Sequence, residues 1–288
     1  NRGWGEVPML IQAQGYAKND YQLTSYDILY RTTRQHMGGC LWHSFDHQRG
    51  YHPEPFYGGI MDAFRQPKLS YYMFCSQRPA EPNKELIADN GPMIYIANAM
   101  TPFSPKDVTI YSNCDEVELT VNGKNLGRKT MPKNGHLSWT AIYQPGTVKA
   151  MGYKNGKKIL TRNVETTGAP ARISLTADRS VIRADNRDVA VFRVELQDKE
   201  KRFVPTACDD LTITVNGPVR ILGVGNGDPA YQTTERPTDT NTRTYQVKAF
   251  NGLAQVLLQS TGEAGEATLT VGAGSFPSVS FVLRLEER

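Results

Sequence analysis

The residues of this chain best suited to polar chemistry crowd into one stretch, Gly38-Gly39-Cys40-Leu41-Trp42-His43-Ser44-Phe45-Asp46-His47, with Arg49 close behind. An indole, two imidazoles, a carboxylate and a guanidinium brought together make a ligand pocket: one flat apolar face beside several hydrogen-bond donors and acceptors. His43 and His47 could begin a metal site, but no third ligand stands at a convincing distance in sequence, so no metal or other cofactor is expected. Asp46 has two readings that its residue type leaves open. It can accept from a ligand hydroxyl, or it can cap its own loop.

The elements that must position these groups can be read on either side. Gly38 to Trp42 reads as a short buried strand ending in an aromatic. A long polar and aromatic loop follows, then Tyr57-Gly58-Gly59-Ile60-Met61-Asp62, and then a helix opening near Pro67, with Arg65 and Lys68 placed to anchor that turn. Upstream, Leu23, Tyr26, Leu29, Tyr30 and Thr33 recur at roughly helical spacing in a stretch that closes at Met37. Before it, Val7-Pro8-Met9-Leu10-Ile11 is an apolar run of the kind a buried parallel strand needs. Strand, helix, strand, loop, helix is the last quarter of a (β/α)8 TIM barrel, whose active-site face lies at the carboxyl ends of its strands. Two strands and two helices cannot bury their own apolar faces. Residues 1–78 are therefore expected to pack against missing barrel segments, another chain (a homo-oligomer included) or the domain that follows. The opening Asn1-Arg2-Gly3-Trp4 has no initiator Met and no signal-peptide pattern, as expected of a piece of a longer polypeptide.

From about Pro79 the pattern changes to strands alone. A Pro-, Asn- and charge-rich linker leads to Met93–Ala97, Val108–Ser112, Val117–Val121, Lys124–Arg128, Leu137–Ala141, Val148–Tyr153 and Lys157–Glu165, with Asn122-Gly123 and Asn155-Gly156 as two-residue hairpin turns. After Gly168-Ala169-Pro170 a second set begins, including Ile173–Ala177, Val189–Gln197, Leu211–Val215, Arg220–Val224, Tyr245–Ala249, Ala254–Ser260, Ala267–Val271 and Ser278–Leu285. The expected organisation is a barrel end at 1–79 and two all-β immunoglobulin-like sandwiches at 85–167 and 169–288. Aromatics such as Tyr95, Trp139, Tyr143 and Tyr231 are either core residues or stacking surfaces for carbohydrate.

Composition removes several classes of function. The net charge of +4 is spread over 288 residues without a dense basic run, which argues against nucleic acid as partner. No apolar run approaches the roughly 20 residues of a membrane span. The four cysteines, Cys40, Cys75, Cys114 and Cys208, lack metal or disulfide-scaffold spacing and read as buried free thiols.

The ordered motifs Gly39-Cys40-Leu41-Trp42, Gly59-Ile60-Met61-Asp62 and Arg65-Gln66-Pro67-Lys68-Leu69-Ser70-Tyr71-Tyr72 resemble the end of the catalytic barrel in glycoside hydrolase family 2, the β-galactosidase and β-glucuronidase family. Ala184-Asp185-x-x-Asp188-Val189-Ala190 and Gly223-Val224-Gly225-Asn226-Gly227-Asp228-Pro229 resemble the bacterial Ig-like domains that close many of its members. The resemblance implies a retaining exo-β-glycosidase, most simply a β-galactosidase, with a carbohydrate substrate and a periplasmic or secreted location. Trp42 would form part of the floor of the terminal-sugar subsite, its indole turned to the barrel mouth by a cis Trp42–His43 bond, with His43, Asp46 and His47 at that mouth. Retaining chemistry needs two carboxyl groups about 5–5.5 Å apart. The acid/base residue belongs to an earlier strand, outside this chain, and the nucleophile should follow Pro8. There the chain has Gln12-Ala13-Gln14 and no Glu, so Gln14, or Ala13 one residue earlier, stands at the nucleophile's place, while Glu6 precedes the strand. The chain alone is expected to be inactive. The alternative is a non-catalytic pair of carbohydrate-binding or spacer modules.

Overall fold

The computed structural model describes residues 5–17, 41, 43–85, 90–231, 236–274 and 276–287. They form two compact units that divide between Thr166 and Thr167.

The first unit begins with helix α1 (Glu6–Ala17), continues through the loop-rich residues 41–68 to helix α2 (Leu69–Cys75), and then turns to strands. These are β1 (Ile94–Ile96), β2 (Asp107–Ser112), β3 (Glu116–Val121), β4 (Lys124–Thr130), β5 (Leu137–Thr140), β6 (Thr147–Lys154) and β7 (Lys157–Glu165). They make a three-stranded sheet, β1-β2-β5, and a four-stranded sheet, β4-β3-β6-β7, all antiparallel. The two sheets share one core. Ile94, Val108, Ile110, Leu137 and Trp139 from the first meet Val117, Leu119, Val148 and Ala150 from the second. Both Asn-Gly pairs turn hairpins as expected, with φ of 49° and 80° at Asn122 and Gly123 and 49° and 74° at Asn155 and Gly156. Positive φ at both central residues matches the twist of the flanking strands.

The expected strand at Val7–Ile11 is overturned, because those residues lie inside α1. A five-residue apolar run carries no period that separates strand from helix, and its surroundings decide the outcome. Met9, Leu10, Gln12, Ala13, Gln14 and Ala17 are good or tolerable helix formers, Glu6 puts an acid in the first turn, and Pro8 falls early enough to lose no intrahelical donor. Met9, Ala13, Tyr16 and Ala17 then fall on one helical face. They pack with Leu69, Met73, Phe74 and Tyr72 of α2 against Tyr95, Ala97 and Tyr111 of the first sandwich. Tyr72 and Tyr95 stack with ring centroids 3.7 Å apart and planes within 7°. Strand β2 is consequently covered on both faces, with Ile110 turned to the sandwich core and Tyr111 to the helices. Among the three partners anticipated for the opening segment, the first sandwich covers the described helices. The expected helix around Leu23–Met37 and the strand ending at Trp42 lie outside the described residues.

The second unit holds β8 (Arg172–Ala177), β9 (Val181–Arg183), β10 (Val189–Gln197), β11 (Asp210–Asn216), β12 (Val219–Gly225), β13 (Thr244–Lys248), β14 (Leu253–Ser260), β15 (Gly265–Ala273) and β16 (Phe276–Glu286). Sheets β12-β14-β10-β8 and β13-β11-β15-β16-β9 enclose a core that includes Phe192, Leu196, Ile213, Leu258 and Leu269. Among the described strands of this unit, the three-residue β9, which pairs in parallel with β16, escaped the sequence reading, being too short to show alternation. The Ala184-to-Ala190 motif is a turn device. Asp185 accepts the amides of Arg187 and Asp188, and Asp188 accepts that of Arg183. These backbone bonds hold both carboxyl groups below the usual aspartate range.

Among the cysteines, Cys75 and Cys114 are buried free thiols, whereas Cys208 is exposed, which corrects the expectation of uniform burial. No helix among the described residues is long and apolar enough to cross a membrane.

Candidate functional site

The segment from His43 to Lys68 contains little regular structure, so its shape depends on specific bonds. Isolated bridges join Phe45 to Met61, His47 to Phe56 and Met61 to Pro67. The pairing is reinforced where the Asp46 amide donates to Met61 O (3.0 Å) and His47 and Phe56 exchange both backbone bonds (3.1 and 2.8 Å). Residues 47–56 thereby form a hairpin-like excursion. Arg49 staples it from within, donating to Glu54 O (2.9 Å), Pro55 O (3.4 Å) and His52 Nδ1 (3.1 Å).

Beneath the excursion lies a buried ion pair. Asp46 and Lys68 are 1 % and 2 % exposed, and Lys68 Nζ lies 3.0 and 2.9 Å from Asp46 Oδ1 and Oδ2. The third ammonium proton goes to Tyr57 O (2.9 Å), and Oδ1 also accepts from the Gly59 amide (2.9 Å). Burial pushes Asp46 up and Lys68 down, and each charge favours the ionised form of the other. Lys68 immediately precedes α2, so this pair fixes the loop to the helix start. Helix α1 grips the same loop from the other side. Gln12 Nε2 donates to Tyr57 O (2.8 Å) and Gly59 O (3.2 Å), and the Tyr16 hydroxyl donates to Gly58 O.

Asp62 closes the next turn, accepting the amides of Phe64 and Gln66 at 2.8 Å each. Burial raises its carboxyl to about 6 against the pull of those amides, and the nearby Asp46 charge adds to the rise. A carboxyl raised in the fold keeps its proton where the unfolded chain, near 3.8, has lost it. Its contribution to stability is full below about pH 4 and is lost as pH rises through about 6, an effect of roughly 2–3 kcal/mol. Asp62→Asn is expected to flatten this part of the stability profile, as measured by urea denaturation of the chain at pH 4, 5, 6 and 7.

The residues singled out from the sequence are distributed as follows. His43 and His47 are half-buried and stack with Phe56 in one cluster, with centroid separations of 4.4 to 5.1 Å. Asp46 lies inside the protein with its oxygens engaged by Lys68 and Gly59. Of its two readings, these bonds are those of the loop-holding one. Trp42 and the Trp42–His43 bond lie outside the described residues. Gln14 is exposed on α1 rather than standing at a strand end, so the strand register that placed a nucleophile there no longer holds. Glu6, also on α1, accepts from Ser104 Oγ (2.7 Å), and burial raises its carboxyl. Arg65 lies over the Phe45 ring at 5.2 Å, and together with Lys68 it does anchor the turn. The residues missed were Gln12, Tyr16 and Gly59. Their signal was weak, because a Gln, a Tyr and a Gly-Gly pair carry no partner information until the chain is folded.

Among the candidate stacking aromatics, Trp139 is buried in the first sandwich core, Tyr95 is stacked on Tyr72, and the Tyr231 hydroxyl accepts from the Lys248 amide (3.4 Å). Trp139→Ala is expected to cost about 3–5 kcal/mol through the cavity it leaves, read as a lower denaturation midpoint for the first unit.

Comparison with known proteins places this architecture. Residues 173–282 match the Glycoside hydrolase family 2 C-terminal domain 5, and residues 104–160 match a domain of unknown function, DUF4982. A β-galactosidase of Bacteroides ovatus, BoGH2A, is 33 % identical over 257 residues, covering 87 % of this chain and 28 % of the relative. A β-glucuronidase of Formosa agariphila is 28 % identical over 285 residues, 93 % of this chain and 27 % of its own length. The crystal structure of a β-glycosidase from Bacteroides vulgatus superposes with a TM-score of 0.74 at 30 % identity, covering 86 % of this chain and 31 % of that one. The chain thus spans less than a third of the length of each of these relatives. A second unit that matches a family 2 C-terminal domain, together with the β-galactosidase and β-glycosidase relatives that span both units, identifies this chain as the carboxyl-terminal part of a glycoside hydrolase family 2 protein.

Proposed function

We propose that the parent polypeptide is a retaining, exo-acting β-glycosidase, most simply a β-galactosidase, and that residues 1–79 are the end of its catalytic (β/α)8 barrel, followed by two immunoglobulin-like modules. The observation that carries this reading is the 33 % identity to a β-galactosidase across 87 % of the chain. In the parent, two carboxyl groups would act on the glycosidic bond, one as nucleophile and one as acid then base. The acid/base residue is assigned to a barrel strand outside this chain, and no Glu follows Pro8 in α1, where Gln14 stands on an exposed helical face.

The part played by this chain is then to hold one wall of the sugar site. Trp42 would offer its indole to the C–H face of the terminal sugar, with His43 and His47 beside it, and the Asp46–Lys68 pair beneath would keep that wall rigid. Preorganisation of this kind avoids ordering the loop at the moment of binding.

Full-length parent assayed on aryl β-galactosides and aryl β-glucuronides tests the reading. Hydrolysis of the galactoside with retained anomeric configuration is the expected result, and the 288-residue chain alone should show none above buffer. Hydrolysis of the glucuronide alone would reassign the sugar, and a parent inert on all β-glycosides would end the proposal. In an active parent, Trp42→Ala should raise KM for galactoside by at least about tenfold, the loss of one stacking partner in a desolvated site, while leaving the midpoint of thermal unfolding near its original value.

A further inference from the structure

The excursion from His47 to Phe56 holds an aromatic ring out into solvent. His52 N–H donates to Arg49 O (3.2 Å), so Gly50 and Tyr51 are the two central residues of the turn that closes the tip. Tyr51 is 87 % exposed, and a Cβ added at Gly50 would meet nothing within 4 Å, so the tip stands clear of the rest of the unit. A single exposed aromatic on a pliable loop needs no explanation. This loop is stapled instead. Arg49 bonds to Glu54 O, Pro55 O and His52 Nδ1, the Glu54 amide donates to the same Nδ1 (3.1 Å), and Pro53 and Pro55 remove backbone freedom on the return side. A tyrosine presented on a preordered turn binds with little entropy left to lose, and its ring face packs on C–H groups. His52 adds a polar contact beside it, because an Nδ1 that accepts from both Arg49 and Glu54 leaves the proton of the neutral imidazole on Nε2.

The place of the tip indicates what stacks there. The excursion rises from the His43–His47–Phe56 cluster, which belongs to the wall proposed for the terminal sugar. Tyr51 stands four residues beyond His47, a reach of up to about 13 Å at roughly 3.3 Å per residue. One sugar ring does not span that distance. An exo-acting enzyme holds one sugar in its terminal site, so any part of the substrate that extends from there to Tyr51 is the leaving group.

We propose that Tyr51 is a specificity-determining residue of the parent, its ring stacking on a sugar of the leaving group, so that the substrate class is an oligosaccharide rather than a simple glycoside. This inference rests on the reading that residues 43–68 wall the sugar site, and it adds the leaving-group contact to that reading.

A comparison of two leaving groups on the full-length parent tests it. The probes are methyl β-galactoside and linear β-galactotrioses of different linkages, or their glucuronide counterparts if the terminal sugar is reassigned. The unsubstituted parent should show a higher kcat/KM on at least one trisaccharide than on the methyl glycoside. Tyr51→Ala should lower the ratio of the two by at least about tenfold, with the loss carried by KM of the trisaccharide, whereas Tyr51→Phe should keep the ratio because it keeps the ring. Arg49→Met should lower the same ratio by letting the tip move. A ratio unchanged in Tyr51→Ala, in a parent that cleaves both probes, would overturn the role of Tyr51 and leave the sugar-site reading standing. So would a parent that cleaves the methyl glycoside as well as every trisaccharide, since nothing beyond the first ring is then felt. Dissociation of the Tyr51→Ala parent into smaller assemblies by light scattering, with the ratio unchanged, would move the ring to a subunit interface and end the proposal. A parent inert on all β-glycosides would remove the reading and this inference together.

Discussion

Replacing Lys68 by Met is expected to destabilise the first unit by about 3–5 kcal/mol, because it leaves the Asp46 carboxylate buried without its counter-charge, with the Gly59 amide still donating to it. Exposed ion pairs contribute little, but here both side chains are excluded from water, and an uncompensated charge cannot recover its hydration without opening the loop. Asp46→Asn should cost a comparable amount by stranding the ammonium. The double variant Asp46→Asn with Lys68→Met should recover part of the loss, since no buried charge is then left unpaired. Chemical denaturation of the chain followed by hydrogen exchange checks this. Amides of residues 44–62 should lose protection first, while β10 and β14 of the second unit stay unchanged. Equal stability of Lys68→Met and the unsubstituted chain would mean that the pair does not hold the loop.

Gly59→Ala is expected to be similarly severe for a different reason. A Cβ at this position would lie 2.4 Å from both Asp46 N and Phe45 C and 2.6 Å from Met61 O. All three are backbone atoms, so no side-chain rotation can relieve the clash, and the two loop strands must separate. Separation breaks the Asp46–Met61 backbone bond and the Gly59–Asp46 bond together, for a loss of at least about 3 kcal/mol. If the loop bearing His43 and His47 forms the proposed sugar-site wall, the same change in an active parent should lower kcat/KM, because that loop is built on this contact. Gly58→Ala would not serve as a neutral control, since its added Cβ meets the Phe56 ring at 2.3 Å. Gly50→Ala would, because nothing lies within 4 Å of the added atom. Gly59→Ala and Lys68→Met touch one network, so their effects should sum to more than the double variant loses.

The two sandwiches were legible in the sequence nearly strand by strand, since alternation and Asn-Gly turns are local signals that a pleated, half-buried ribbon requires wherever it lies. The site was legible in part. Lys68 was read as an anchor of its turn, and it is one, but its partner was not identified. Asp46 is 22 residues away in sequence, and the choice between a ligand hydroxyl and an ammonium is made only when the loop folds over it.

What the sequence determined by itself was the order of strands, their turns and the family motifs. The tertiary structure decided the conformation of residues 6–17 and therefore the roles of two glutamines. In a strand, Gln12 and Gln14 would share a face because side chains alternate with a period of two. In α1 they are separated by about 200° of rotation, at 3.6 residues per turn, so Gln12 reaches Tyr57 O and Gly59 O while Gln14 faces solvent. The apolar run at Val7–Ile11 satisfies either geometry. The packing of Ala13, Tyr16 and Ala17 against α2 and the sandwich selects the helix, since only a helical spacing can present those three residues to one surface.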